Sequence, residues 1–260
     1  MIINADDFGQ TESCTRAIFE AFEKRMITDV TMVANGEALD TAFELIRNHP
    51  AIRDRVGIHF ILTEGIPLTE TMKKNSKFVT DGRFNSYFKN KRNYVKRLSR
   101  RDKKDIYEEL TAQIDFLLSK GILISHADSH HHVHNNWQLA SIIFRVCREH
   151  SITRIRIHRN VDRKSLFWNI FYAFLYNSRL GVNGFSHTDY FGAAGEYEYM
   201  REGISEIMVH PDYDSEGKLV DRKRKQYSEA GNIYADGEPL EIVLASCLNR
   251  AEQCITYKSV

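Results

Sequence analysis

Short apolar runs alternate with longer stretches of helical periodicity from one end of the chain to the other. That pattern argues for βα units built around a mainly parallel sheet. Strands are expected at 1–5, 29–33, 56–62, 122–127, 154–158 and 206–209, with a last one at 255–258. Helices are expected near 12–25, 38–48, 104–120, 137–149, 163–177 and 239–252. The first helix has a cap in Thr11 and an acidic first turn in Glu12, and Ala17, Ile18, Ala21 and Phe22 recur at helical spacing. Six or seven parallel strands in 260 residues fit an α/β fold whose strands close, or nearly close, into a (β/α) barrel. An open doubly wound sheet would carry a glycine-rich phosphate turn after its first strand, and ADDFG at 5–9 is the wrong chemistry for phosphate. No repeat or low-complexity linker interrupts the pattern, so a single domain over 1–260 is expected, with a basic insertion at about 66–105.

Composition narrows the function classes. The balance of 36 Lys+Arg against 35 Asp+Glu provides no global field to recruit nucleic acid or an anionic surface. Cys14, Cys147, Cys247 and Cys254 form neither a CxxC pair nor a dense disulfide framework, which points to reduced thiols. The start, MIINADDFGQ, lacks the basic and then long apolar segments of a signal peptide, so the expected location is cytoplasmic.

Polar clusters recur where apolar runs stop: Asn4, Asp6 and Asp7; Thr63 and Glu64; His126, Asp128 and the histidines after them; His210 and Pro211. In a parallel barrel all those strand ends lie on one face, so distant residues converge there. Adjacent carboxylates such as Asp6 and Asp7 are costly to desolvate unless a cation or shared proton compensates. A metal site and a solvent-facing cap for the next helix both remain open for them. His59 lies inside the strand-like VGIHFIL at 56–62 and needs a polar partner there. Asp6 or Asp7, His59 and a histidine of HADSHHHVH, 126–134, would together make a first shell for Zn, Mn, Fe or Co. That tract holds five of the eleven histidines, too many for one ion. As a continued strand it puts His126, Asp128 and His130 on one face; if a helix opens soon afterwards, His130 and His134 come one turn apart. His131 and His132 are expected to be loop groups or to orient a ligand.

NADDFG at 4–9, VGIHFILTEGIPL at 56–68, HADSHHHVH at 126–134 and EIMVHPDY at 206–213 together resemble the YdjC-like carbohydrate deacetylase family, whose best-described members deacetylate chitooligosaccharides. The resemblance covers nearly the whole chain, and four ordered motifs are far more specific than one. It implies a variant TIM-like (β/α) barrel and a divalent ion, magnesium by resemblance with zinc or another transition metal as the alternative. It implies Asp7, His59 and His130 as ligands, Asp6 or Asp7 as the base and His210 as the acid. Glu64, Asp128, His134 and Arg156 are candidates for substrate contact or for orienting the ligands. The implied substrate is an N-acetylated mono- or oligosaccharide. Hydrolysis of another bond at the same site, or glycan binding without catalysis, are the rival readings.

Two segments stand outside the motifs. Residues 89–104 carry nine Lys or Arg and are expected to be a solvated face or lid, with recognition of an acidic sugar or a phosphate-linked glycan as the alternative and Arg222 to Lys225 as a second basic cluster. LFWNIFYAFLY at 166–176 is too short to span a bilayer. It is expected to be a buried or homodimer-forming helix. The flanking Arg163 and Lys164 keep open a place at a membrane surface.

Overall fold

The structure, a computed structural model, describes residues 1–161, 167–224, 226–227, 233–235, 237–249 and 253–260. Its strands in chain order are β1 (Ile2–Phe8), β2 (Asp29–Met32), β3 (Val56–Phe60), β4 (Val79–Thr80), β5 (Arg83–Phe84), β6 (Ala127–Ser129), β7 (Tyr190–Ala193), β8 (Ser205–Val209), β9 (Pro211–Tyr213), β10 (Leu219–Asp221), β11 (Gln226–Tyr227), β12 (Ile233–Ala235) and β13 (Glu238–Pro239). Its α-helices are α1 (Glu12–Glu23), α2 (Leu39–Asn48), α3 (Glu70–Lys73), α4 (Arg100–Ser119), α5 (Trp137–Glu149), α6 (Phe167–Val182) and α7 (Leu240–Leu248). Of the expected helical segments, 163–166 and 250–252 lie outside the described residues, as do Arg163, Lys164 and Lys225. Among the described residues no helix is long and apolar enough to cross a membrane.

Six strands pair in parallel in the order β6-β3-β2-β1-β8-β7, curling into the half-barrel of a TIM-like variant. Isolated parallel bridges, Ala127 to Ile155 and Arg154 to Ser186, carry the curl past β6. The run expected at 154–158 joins the sheet only through these bridges. Its neighbour β6 ends at Ser129, where the chain turns into a 3-10 segment at His130, so no longer ladder is available. The strand expected at 255–258 is absent; Tyr257–Ser259 form a 3-10 turn. This segment crosses beneath the strand starts, with Ile255 N donating to Met1 O at 2.8 Å and Tyr257 N to Asp29 Oδ1 at 3.1 Å. Inside the expected insertion, α4 begins at Arg100, four residues before the expected start. Ser99 and Asp102 close a capping box there, each side chain accepting from the other's backbone N–H.

Alternation along the strands separates two environments. Ile3, Ala5, Val30, Met32, Val56, Ile58, Phe60, Ala127, Ile155, Ile157, Ile207 and Val209 all belong to the apolar core. The intervening positions, Asn4, Asp6, Thr31, Gly57, His59, His126, Asp128, Arg156 and Glu206, share the opposite face. Parallel barrels are ordinarily filled by branched apolar residues. Here buried acids, amides, imidazoles and a guanidinium fill the interior instead.

Gly57 is required by this interior. A Cβ there would lie 2.6 Å from the imidazole of His126. That ring cannot retreat, because Tyr257 stacks on it at 3.8 Å between centroids with planes 12° apart. Gly57→Ala should therefore lose about 1–3 kcal/mol of stability from overpacking. Urea unfolding measures the loss, and an unchanged midpoint would contradict the packing.

Candidate active site

Consecutive strand residues should face opposite ways, yet both Asp6 and Asp7 serve the same site. The β1–β2 register slips between Ala5 and Phe8, and Asp7 adopts φ 75°. A left-handed conformation is uncommon for a residue with a Cβ, and such positions concentrate at functional sites. The irregularity keeps Asp6 inside the barrel and brings the Asp7 carboxylate to its rim. Gln10 N donates to Asp7 O at 3.0 Å and the Cys14 thiol to the same oxygen at 3.4 Å, holding the turn.

Asp7 Oδ1 lies 3.2 Å from His59 Nε2 and 2.6 Å from His130 Nδ1, and all three residues are buried. Their donor atoms fall within 4.8 Å of one another. His59 is oriented from behind: its Nδ1 meets Asp128 Oδ1 at 2.6 Å and Thr31 Oγ1 at 3.2 Å. A carboxylate that takes one ring nitrogen fixes which tautomer the other presents. Asp128 thus aims Nε2 of His59 at Asp7. Arg222 closes the site from outside, with its guanidinium 2.5 Å from Asp7 Oδ2 and 2.9 Å from Gln10 Oε1.

Asp6 lies one layer deeper. Arg156 holds it with two parallel hydrogen bonds, 2.8 Å to Oδ2 and 2.7 Å to Oδ1. The same guanidinium reaches Asp128 Oδ2 at 2.5 Å and Glu206 Oε1 at 2.7 Å. His210 Nε2 is 3.8 Å from Asp6 Oδ2. Burial alone would raise Asp6, but the charge and hydrogen bonds of Arg156 outweigh it and hold the carboxyl below its ordinary range. Burial also opposes ionisation of Asp7, and hydrogen bonds from His130 and His59 reverse it. For His59, Asp128 and Asp7 overcome burial and lift the imidazole to about 10; Asp7 and Glu64 likewise raise His130. Burial lowers His210 against the pull of Asp6.

The other expected site residues divide. Glu64 stands on the cavity wall, 3.6 Å from His130 Nε2 and paired with Lys89 at 2.6 Å; these cations bring it down to about 2. His134 faces away from the donors: its Nδ1 meets Ser129 Oγ at 2.6 Å and its backbone carbonyl accepts from Tyr176. The tract does not continue as a helix with His130 and His134 stacked, because His131 and His132 both turn left-handed, at φ 54° and 53°. That kink instead brings His131 to the cavity, where it bonds Thr63 at 3.0 Å and burial lowers it to about 4. A cleft of about 580 Å³ opens beside His130, with Gln10, Asn35, Arg83, His131 and Lys223 around it.

The donor set fits a divalent ion on charge as well as type. Four carboxylates, Asp6, Asp7, Asp128 and Glu206, face two guanidiniums, Arg156 and Arg222. A dication there would compete with the protons that these carboxylates favour on His59 and His130, since a ligand imidazole must be neutral. One carboxylate and two imidazoles form a first shell common to zinc and its neighbours.

A family model described as YdjC-like protein matches residues 1–245. The chain belongs to the YdjC-like family. A carbohydrate deacetylase of Geobacillus stearothermophilus is 29% identical over 216 residues, 82% of this chain and 79% of that protein. A carbohydrate deacetylase of Halalkalibacterium halodurans is 27% identical over 253 residues, 97% of each chain. One from Vibrio parahaemolyticus is 33% identical over 157 residues, a match spanning 58% of this chain and 57% of that protein. The crystal structure of an Enterococcus faecalis protein named for cellobiose-phosphate cleavage shares the fold, with a TM-score of 0.68 at 21% identity over 99% of this chain and 97% of that one.

Several residues of this YdjC-like site carried no sequence signal. Arg222 was legible only as part of a basic cluster and Thr31 as one more apolar-run position, while Glu206 opened the EIMVHPDY motif with no role attached to it. Tyr257 lies beyond the matched region, yet its hydroxyl donates to Glu206. Strand alternation was the available clue that Thr31 and Glu206 face the interior, since each is adjacent in sequence to an apolar outward position, Val30 and Ile207.

Removing the central guanidinium should strand three buried carboxylates. Arg156→Ala is expected to lose about 3–5 kcal/mol in urea unfolding. Glu206 gives a pH signature: burial pushes it up to about 7, opposed by Arg156, from an ordinary 4.5. The folded state then binds the extra proton, so this contribution is full below about 4.5 and is lost as pH rises through about 7. Glu206→Gln should reduce the slope of the stability profile across that window, to which Asp29, also pushed up to about 7 by burial, contributes as well, and an unchanged slope would contradict the assignment.

Proposed function

We propose that this YdjC-like chain is a metal-dependent carbohydrate deacetylase that hydrolyses the acetamide of an N-acetylated sugar or oligosaccharide. The observation that carries this reading is the meeting of Asp7, His59 and His130 beside a cleft that His130 lines, with Asp6 adjoining the same cluster and His210 3.8 Å from Asp6. The carbohydrate deacetylase relatives supply the bond class.

Asp7, His59 and His130 would hold the ion, magnesium by family resemblance, although two imidazoles also suit zinc, manganese or cobalt. A divalent ion in this position supplies Lewis-acid polarisation of a carbonyl and acidifies water. The rest falls to side chains. Asp128 and Thr31 keep His59 in one tautomer and one orientation. Asp6 stays ionised throughout the neutral range, ready to accept a proton from attacking water, and Arg156 fixes the direction of its lone pairs. His210, within 3.8 Å of Asp6, is placed to pass a proton to the departing amine; burial keeps its imidazole below the ordinary range despite the Asp6 charge, so it takes up that proton during the reaction and does not carry it at rest. His131, Asn35, Gln10 and Glu64 line the cleft with donors and acceptors suited to sugar hydroxyls.

Two measurements test this function. Acetate release from a panel of N-acetylated oligosaccharides with several divalent ions should show turnover, and Asp7→Asn, His59→Ala and His130→Ala should each reduce it at least about a thousandfold. Persistent turnover in any of the three would sink the assignment. Independently of turnover, calorimetry should show ion affinity rising with pH. The sign follows from the raised His59 and His130, whose protons compete with the ion and must leave as it binds. At neutral pH protons should appear in the buffer as the ion binds, and none would contradict the exchange.

A further inference from the structure

Helix α6 was expected to be buried or to form a homodimer, with a membrane surface as the alternative, and its outward face is exposed. Trp168 is 72% exposed and Phe174 65%, and Ile170, Phe171 and Leu175 are exposed beside them. The helix carries no acidic residue. Across from it lies the 3-10 turn Lys91–Val95, in which Val95 is 89% exposed. Gln138 of α5 fixes that segment by donating to Lys96 O at 2.9 Å and accepting from Leu98 N at 3.0 Å. Trp137, the residue beside Gln138, is itself exposed and stacks under Arg179 of α6 at 4.3 Å. Tyr94 is close enough to Tyr172 of α6 for their phenols to interact, and Lys91 to His158. One surface therefore joins an aromatic helix face to Lys91, Arg92, Lys96 and Arg97, which are all exposed and pair with no carboxylate among the described residues.

We propose that this surface docks the protein on an anionic phospholipid bilayer, with the outward side chains of α6 and Val95 entering the headgroup boundary and the four cations on lipid phosphates. Exposed Trp and Phe beside Lys and Arg are the composition of an interfacial helix. Charge disfavours the simplest rival. A two-fold contact sets a patch against its own copy, and here that would bring together two sets of cations that pair with no carboxylate among the described residues. Outward-facing Ile170, Leu175 and Val95 also favour acyl chains over stacked nucleobases, which need planar platforms in a groove. The surface borders the cleft, because Lys89 at the start of the basic segment pairs with Glu64 on the cleft wall. The docking does not depend on the bond the site hydrolyses.

Flotation of the full chain with phosphatidylcholine vesicles, with and without phosphatidylglycerol, tests the proposal. Binding should need phosphatidylglycerol and weaken as salt rises. Replacing Lys91, Arg92, Lys96 and Arg97 together by Gln should reduce it by roughly fivefold for each cation within reach of the surface. Trp168→Ser with Phe174→Ser should reduce it at least about tenfold; both sets are on the surface, so Tm should hold. In a Trp137→Phe background, the emission of Trp168 should move to the blue on phosphatidylglycerol vesicles. Equal partitioning to both vesicle types, or binding that survives both variant sets, would overturn the proposal. So would a concentration-dependent dimer in sedimentation velocity that Trp168→Ser abolishes, since that assigns the face to a second copy.

Discussion

One guanidinium organises the interior of this half-barrel. Arg156 is fully buried and reaches Asp6 on β1, Asp128 on β6 and Glu206 on β8, so a single planar group ties together three strands from both sides of the sheet. A buried charge is tolerated only when it is paired and its donors are used, and here Nε and both terminal nitrogens are engaged. The consequence reaches the rim of the barrel. Asp128, held by Arg156, orients His59, and His59 with His130 sets the environment of Asp7. Arg156 touches none of the three converging donors, yet it determines the orientation of the group that aims one of them.

The polar interior has a structural cost, which the apolar outer layer offsets. Each strand presents Ile, Val, Ala, Met or Phe to the helices, and this continuous core lets the other face hold charge. Below the charged layer, the stacked pair His126 and Tyr257 closes the barrel, with Gly57 leaving room for the imidazole. The last residues of the chain thus complete the interior without adding a strand. Above the charged layer, Asp7, His131 and His132 take left-handed conformations, and of these His131 lines the cleft.

Outside the barrel, the long connection between β3 and α4 behaves as a packed element. Glu109 of α4 accepts from Leu68 N, Thr69 N and Thr69 Oγ1, and Phe78, Phe88 and Leu98 are buried within it. Its basic residues are consequently held on one side, next to the aromatic face of α6. A charge run that looked like a generic solvated face in the sequence acquires a direction only because α4 and α5 fix its ends.

Period-two apolar runs, the position of His59 within one of them and the carboxylates and histidines at strand ends were enough to determine the parallel α/β architecture. They also named the residues able to meet on one face, because these depend only on local periodicity and on the geometry of parallel strands. Tertiary structure decided what periodicity cannot encode. The irregularity at Asp7 puts two adjacent carboxylates into one site, and the double left-handed turn after His130 separates it from His134. Arg222 and Tyr257 reach the site and its foundations from segments with no motif, through contacts spanning 215 and 51 residues of chain. The exposure of α6 was equally hidden, since a helix that is apolar on most sides reads as buried until its neighbours show which side they leave open.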